Sequence, residues 1–140
     1  MGRILAIDYG TKRTGLAVTD PLRLIAGALA TVETKQLERY LAEYFAKNDV
    51  DVIVVGKPSQ MSGKPSETMR FIEPLAGRLR HAYPEKQVVL YDARFTSVMA
   101  HRTMLESGIG KKARQDKALV DRIAATIILQ SYMESLELQR

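Results

Sequence analysis

The sequence has no cysteine, which removes disulfides, thiolate metal sites and a cysteine nucleophile from consideration and suits a reducing compartment. Its two histidines, His81 and His101, fall on predicted helices without a visible partner, and no role is assigned to them. No apolar run approaches the roughly 20 residues that a membrane-spanning helix requires, and the N-terminus lacks the pattern of a secretory signal. The expectation is a cytoplasmic protein with no membrane partner. Internal repeats, low-complexity segments and linkers are lacking too. What is present is the make-up of a globular protein: 140 residues, 46% hydrophobic and 26% charged, enough for one core and one domain over residues 1–140. The net charge of +5 admits an anionic partner such as nucleic acid, and equally admits simple solubility.

The chain is organised around the stretch Ile4–Val18. Residues 4–7 are apolar and short enough for a buried strand, and Asp8 interrupts the run just before a turn marked by Gly10. A carboxylate in that place is costly unless it is paired, hydrogen-bonded or metal-bound. The pattern predicts strands over 3–8 and 13–19 joined by a tight turn at Tyr9–Lys12, then a third strand within Leu24–Val32. Thr34 is the expected N-cap of a helix whose apolar stripe is Leu37, Tyr40, Leu41, Tyr44 and Phe45. Val50–Val55 is apolar and β-branched apart from Asp51, the pattern of a central strand buried on both faces and parallel to its neighbours. The loop Gly56–Gly63 follows at that strand's C-terminal end, the edge where ligands collect in open α/β sheets.

A helix is then predicted from Pro65, with Met69, Ile72, Leu75, Ala76 and Leu79 as its stripe and a kink or break at Pro74. Gln87–Tyr91 reads as the last strand. Thr96 or Ser97 would cap a short helix closing near Gly108, and a basic loop with Lys111, Lys112 and Arg114 leads into a helix from about Gln115 to Leu136. The resulting order predicts an α/β fold: a mixed five-stranded sheet, with an antiparallel β-β-β meander followed by β-α-β units, flanked by helices.

Three acids stand out. Asp8 and Asp92 end the first and last strands, and both should approach one sheet edge if those strands are parallel neighbours. Asp121 shares a helix face with Ala124, Ala125 and Ile128, so it needs a partner. Carboxylates that converge without cysteine or paired histidine suit a hard, oxygen-liking cation such as Mg²⁺ or Mn²⁺. Such a cluster supports attack of water on a phosphodiester, with Lys12, Arg13, Arg94, Lys111, Lys112 and Arg114 placed to hold the phosphate backbone. The plainer alternatives are that Asp8 is a turn residue, that Asp121 pairs with Lys117 or Arg122, and that the basic residues form a solvated surface. Asp20, Asp49, Asp51 and Asp116 read as surface or turn acids.

Taken in order, Asp8–Asp20, Val55–Pro58 with Gly63, Asp92–Ser97 and Asp121–Gln130 resemble the successive motifs of the YqgF/RuvX family over nearly the whole chain. The resemblance implies a ribonuclease H-like fold related to Holliday-junction resolvases. It also implies divalent-metal hydrolysis of phosphodiesters in precursor 16S ribosomal RNA or in branched DNA. Symmetric cleavage of a junction would call for a homodimer. Carried over by position, Asp8 and Asp121 match two of the family's acids, as catalytic residues and metal ligands. Gly10, Thr11 and Lys12 would lie beside the scissile phosphate.

The third acid is where the chain departs, because Ala93 stands where relatives carry glutamate in Asp-Glu-Arg. Asp92 replaces it only if a bulge or the strand end turns its side chain inward, since adjacent strand residues face opposite ways. Glu67 and Asp20 are the other acids considered for that place. Lys57 stands where relatives commonly carry an apolar residue and adds a phosphate contact. The competing functions are a nucleic-acid-binding or regulatory protein with little cleavage, and an actin-like ATPase or sugar kinase that would use Asp8–Thr11 as its phosphate turn.

Overall fold

The computed structural model describes residues 2–57, 69–92 and 117–138. Five strands, β1 (Arg3–Asp8), β2 (Arg13–Thr19), β3 (Ala26–Glu33), β4 (Val50–Lys57) and β5 (Gln87–Asp92), form one sheet in the order β3-β2-β1-β4-β5. The meander β1-β2-β3 is antiparallel, whereas β4 runs parallel to both β1 and β5. The described helices are α1 (Leu37–Lys47), α2 (Met69–Ala82) and α3 (Lys117–Leu138). The short helix expected between Thr96 and Gly108, the start of a helix at Pro65 and the basic loop at 111–114 lie outside the described residues.

Alternation along β1 divides the core. Leu5 and Ile7 point to one face, where they meet Leu16, Ile53 and Val55 beneath Leu37 and Leu41 of α1 and Ile72, Leu75 and Leu79 of α2. Ile4 and Ala6 point to the other, with Ala17, Val52 and Val54 beneath Ala125, Ile128, Leu129 and Tyr132 of α3. Each fully buried aliphatic side chain stabilises this arrangement by about 1.5–3 kcal/mol. The layers are therefore helix, sheet, helix, and the even-numbered positions of β1 look at α3. Asp8 is the next even position.

One local expectation is corrected, and of the kink or break expected at Pro74 the break is absent. Thr34 makes no side-chain cap bond. The chain first takes one 3-10 turn, Thr34–Gln36, before α1, and the Thr34 hydroxyl bonds elsewhere. Helix α2 passes through Pro74 without a break. Arg70, whose carbonyl lacks the Pro74 N–H, shares the exposed side of the helix with Pro74, while Ile72, Leu75, Ala76 and Leu79 hold the buried side. The unmade bond therefore faces water.

Candidate active site at the end of the first strand

Asp8 ends β1 with glycine on both sides. Gly15 of β2 is directly opposite it, and continuing the Ile7–Val55 register places Gly56 of β4 beside it on the other flank. Neither neighbour carries a side chain that would stand between the carboxylate and α3. Gly15 also sets how near α3 comes, because a Cβ at that position would overlap the Asp121 carbonyl. Gly15 thus lets the first turns of α3 come down over the end of β1, carrying the Asp121 side chain.

The electrostatics follow from this packing. Burial, and secondly the Asp121 carboxylate, push the Asp8 carboxyl up to about 7. Among the described residues no hydrogen-bond donor holds Asp8. Asp121 has one in Arg13, whose Nε–H donates to Oδ2 at 3.1 Å across 108 residues of sequence. The partner shown is on β2, not on the same helix, and the side chain of Lys117 lies outside the described residues. Two acids and one arginine meet where the strand, the turn after it and the helix converge.

The turn itself is fixed by Thr34. Its Oγ1 donates to the Gly10 carbonyl at 2.6 Å and so must accept the 2.8 Å bond from Oγ1 of buried Thr14. Its backbone N–H donates to the Lys12 carbonyl at 3.0 Å. At Gly10 a Cβ would overlap the Arg13 carbonyl, so the turn closes only with glycine. Thr11 and Lys12 are left exposed at its tip, beside Asp8.

The other expected residues are placed differently. Asp92 ends β5 at the same sheet edge, but β4 lies between β1 and β5, so the two strands are not neighbours. Val89 and Tyr91 pack toward α3 and Val88 and Leu90 toward α1 and α2. Alternation therefore sets Asp92, which is exposed, on the side away from Asp8. Lys57, paired with Asp92 across the sheet, falls on that same side. Asp20 is at the opposite edge, where its carboxylate accepts the N–H groups of Leu24 and Ile25 at 2.7 and 2.9 Å. It cannot complete the site. Glu67, Ala93, Arg94, Lys111, Lys112 and Arg114 lie outside the described residues. Sequence reasoning missed Thr34 as a clamp and Gly56 as a flank. The signal for Gly56 was available, since it closes a buried strand in the place where Asp8 closes another.

Among the described residues no group of three or more acids or histidines surrounds a common point. Two carboxylates still suit Mg²⁺ or Mn²⁺, because these cations keep several waters and are commonly held by one or two carboxylates together with substrate phosphate. The donors are all oxygen, glycine stands on both strands flanking Asp8, and a dication would relieve the repulsion between the two acids.

Comparison with known proteins agrees with this geometry. The sheet order and covering helices are those of ribonuclease H-like resolvases. The structure matches a fowlpox virus resolvase solved with Holliday junction DNA (TM-score 0.58, 20% identity, 96% of this chain and 98% of that one). It also matches Thermus thermophilus RuvC solved with a Holliday junction substrate (TM-score 0.55, 20% identity, 98% and 96%). In sequence, a Bacteroides thetaiotaomicron protein named "Putative pre-16S rRNA nuclease" is 56% identical over 135 residues, covering 96% of this chain and 98% of its own. A Parabacteroides distasonis protein of the same name is 52% identical over 139 residues, covering 99% of each. The family model described as "RuvX: Holliday junction resolvase" matches residues 2–135, and the chain belongs to that family.

Proposed function

We propose that this protein is a nuclease in which Asp8 and Asp121 hold a divalent cation, Mg²⁺ or Mn²⁺, against a phosphodiester of structured nucleic acid. The 5′ precursor of 16S rRNA is the first substrate proposed and branched DNA the second. The observation that carries the reading is the pair of repelling carboxylates at the C-terminal end of β1, where glycine on the neighbouring strand lets α3 bring Asp121 toward Asp8. The names of the relatives favour cleavage over binding alone, and family membership sets the kinase-like alternative aside.

When bound, the cation would neutralise charge on the phosphate and supply a more acidic water. The protein's own residues orient and screen. Lys12 and Arg13 would meet phosphate oxygens beside Asp8, and the Thr34 bonds to Gly10 and Lys12 keep that turn at a fixed distance from β1. Residues 1–140 would act as one domain, and a homodimer is needed only if both strands of a junction are cut in symmetry. Asp92 receives no ligand role in this reading.

Purified protein incubated with labelled RNA carrying the 16S 5′ extension, and separately with a labelled four-way junction, tests the proposal. The expected result is metal-dependent cleavage of the RNA that is lost in Asp8→Asn. Cleavage of neither substrate, or cleavage that survives Asp8→Asn, overturns it.

A further inference from the structure

Arg13 presents more hydrogen-bonding capacity than it uses. Only its Nε–H is engaged, on Asp121 at 3.1 Å, and the remaining four donors of the guanidinium meet no partner among the described residues. The side chain is 39% exposed, so that fork faces the solvent from which a substrate would arrive. The carboxylate it holds is one of the two that would take the cation. A guanidinium and a dication cannot both sit against Asp121 without strong like-charge repulsion. A phosphate, in contrast, is the natural partner for a released guanidinium, which can grip it through two parallel N–H bonds.

We infer that Arg13 is a coupling residue that occupies the cation site's Asp121 in the free protein and passes to a nucleic-acid phosphate when the cation binds. This rests on the proposed role of Asp8 and Asp121 and deepens it. Phosphate draws Arg13 off Asp121 and opens the carboxylate to the cation. The cation in turn expels Arg13 toward phosphate. By linkage the two ligands strengthen each other's binding to the same extent. The device keeps the free protein poorly loaded and couples loading to engagement of substrate. Part of any cooperativity would come from direct contact between cation and phosphate, and the part due to Arg13 is separable because it disappears with the side chain.

The test is a set of binding measurements. Mn²⁺ affinity is read by electron paramagnetic resonance with no nucleic acid present. Affinity for labelled 16S 5′-extended RNA is read in EDTA and again in Ca²⁺. Arg13→Gln should bind Mn²⁺ on the order of tenfold more tightly than the parent, the middle of the usual range for coupled sites. It should lose little RNA affinity in EDTA, where the parent's Arg13 is occupied, and several-fold in Ca²⁺. A second variant guards against misfolding of the first. Asp121→Asn should tighten RNA binding in EDTA, and Asp121→Asn combined with Arg13→Gln should remove that gain. If Mn²⁺ binds the parent and Arg13→Gln binds it equally or more weakly, the coupling is wrong while the metal site stands. If Asp121→Asn leaves RNA binding in EDTA unchanged, the coupling is again overturned. Absence of Mn²⁺ binding by the parent overturns both readings.

Discussion

Strand β1 has an aspartate–arginine pair at each end, each at 3.1 Å, and the two pairs behave differently. At the start of the strand, Asp51 accepts the Gly2 N–H at 2.8 Å and the Arg23 guanidinium, and Arg23 Nε–H donates to the Gly2 carbonyl at 2.8 Å. The ring is closed, and it ties Gly2 and the β2–β3 turn to β4. At the other end, Asp121 accepts from an Arg13 side chain that is 39% exposed, and Asp8 is pressed against a like charge with no donor among the described residues. One pair is finished by the protein. The other stands beside a second, buried carboxylate, and the difference lies in the groups around the pair rather than in the pair itself.

The largest effect that would sharpen this contrast is at Asp8. Asp8→Asn should lower cleavage by roughly a thousandfold, since mutating a ligating residue removes the charge stabilisation a cation supplies. The same change should stabilise the cation-free fold. The folded protein holds the Asp8 proton more tightly than the unfolded chain, with the group raised from 3.8 to about 7. Stability therefore declines as pH rises through that window, and the full cost is present above about 7. Removing it is worth on the order of 4 kcal/mol there and nothing below pH 3.8. Urea unfolding on both sides of pH 7 measures this, and a parent and variant of equal stability at high pH would refute it. For the same reason Mn²⁺ affinity should rise with pH up to about 7.

Glycine substitutions come next. Gly15→Ala drives a methyl into the Asp121 carbonyl, which α3 can escape only by moving. A loss of about 2–3 kcal/mol is expected, with cleavage falling further than stability alone explains. Gly27→Ala on edge strand β3 meets nothing within 4 Å and should change stability by no more than about 1 kcal/mol. Asp51→Asn at the closed pair should cost no more than about 1 kcal/mol, since the Asp51 side chain is 46% exposed, and leave the rate per folded molecule alone. Equal damage to activity from Asp51→Asn and Asp121→Asn would break the comparison. The smallest effect concerns the third acid: Ala93→Glu, which supplies the glutamate that the motif resemblance implies, should raise cleavage several-fold at limiting Mg²⁺.

Much of this was readable in advance because it depends on near neighbours in sequence. The short apolar runs at 4–7 and 16–18, the β-branched run at 50–55 broken only by Asp51, and the stripe of Leu37 and Leu41 each announce an element from residues close in sequence. Asp8 was conspicuous because a charge ended an apolar strand. Thr34 was misread for a physical reason. Its residue type suits an N-cap, but the Gly10 carbonyl and the Thr14 hydroxyl, 24 and 20 residues earlier, compete for the same oxygen and win it.

The sequence by itself determined that an acid must stand at the end of β1, that a glycine-closed turn follows it and that a second acid rides the inner face of the last helix. Side-chain period and backbone sterics act over a few residues, so those facts are local. Only the tertiary structure decided that β4 would separate Asp92 from Asp8, that Gly15 would admit α3, and that Arg13 would reach Asp121 across 108 positions. Such contacts depend on strand order and on how closely two elements approach. No local pattern encodes either one, because the free energy that sets them comes from packing the whole sheet between its helices.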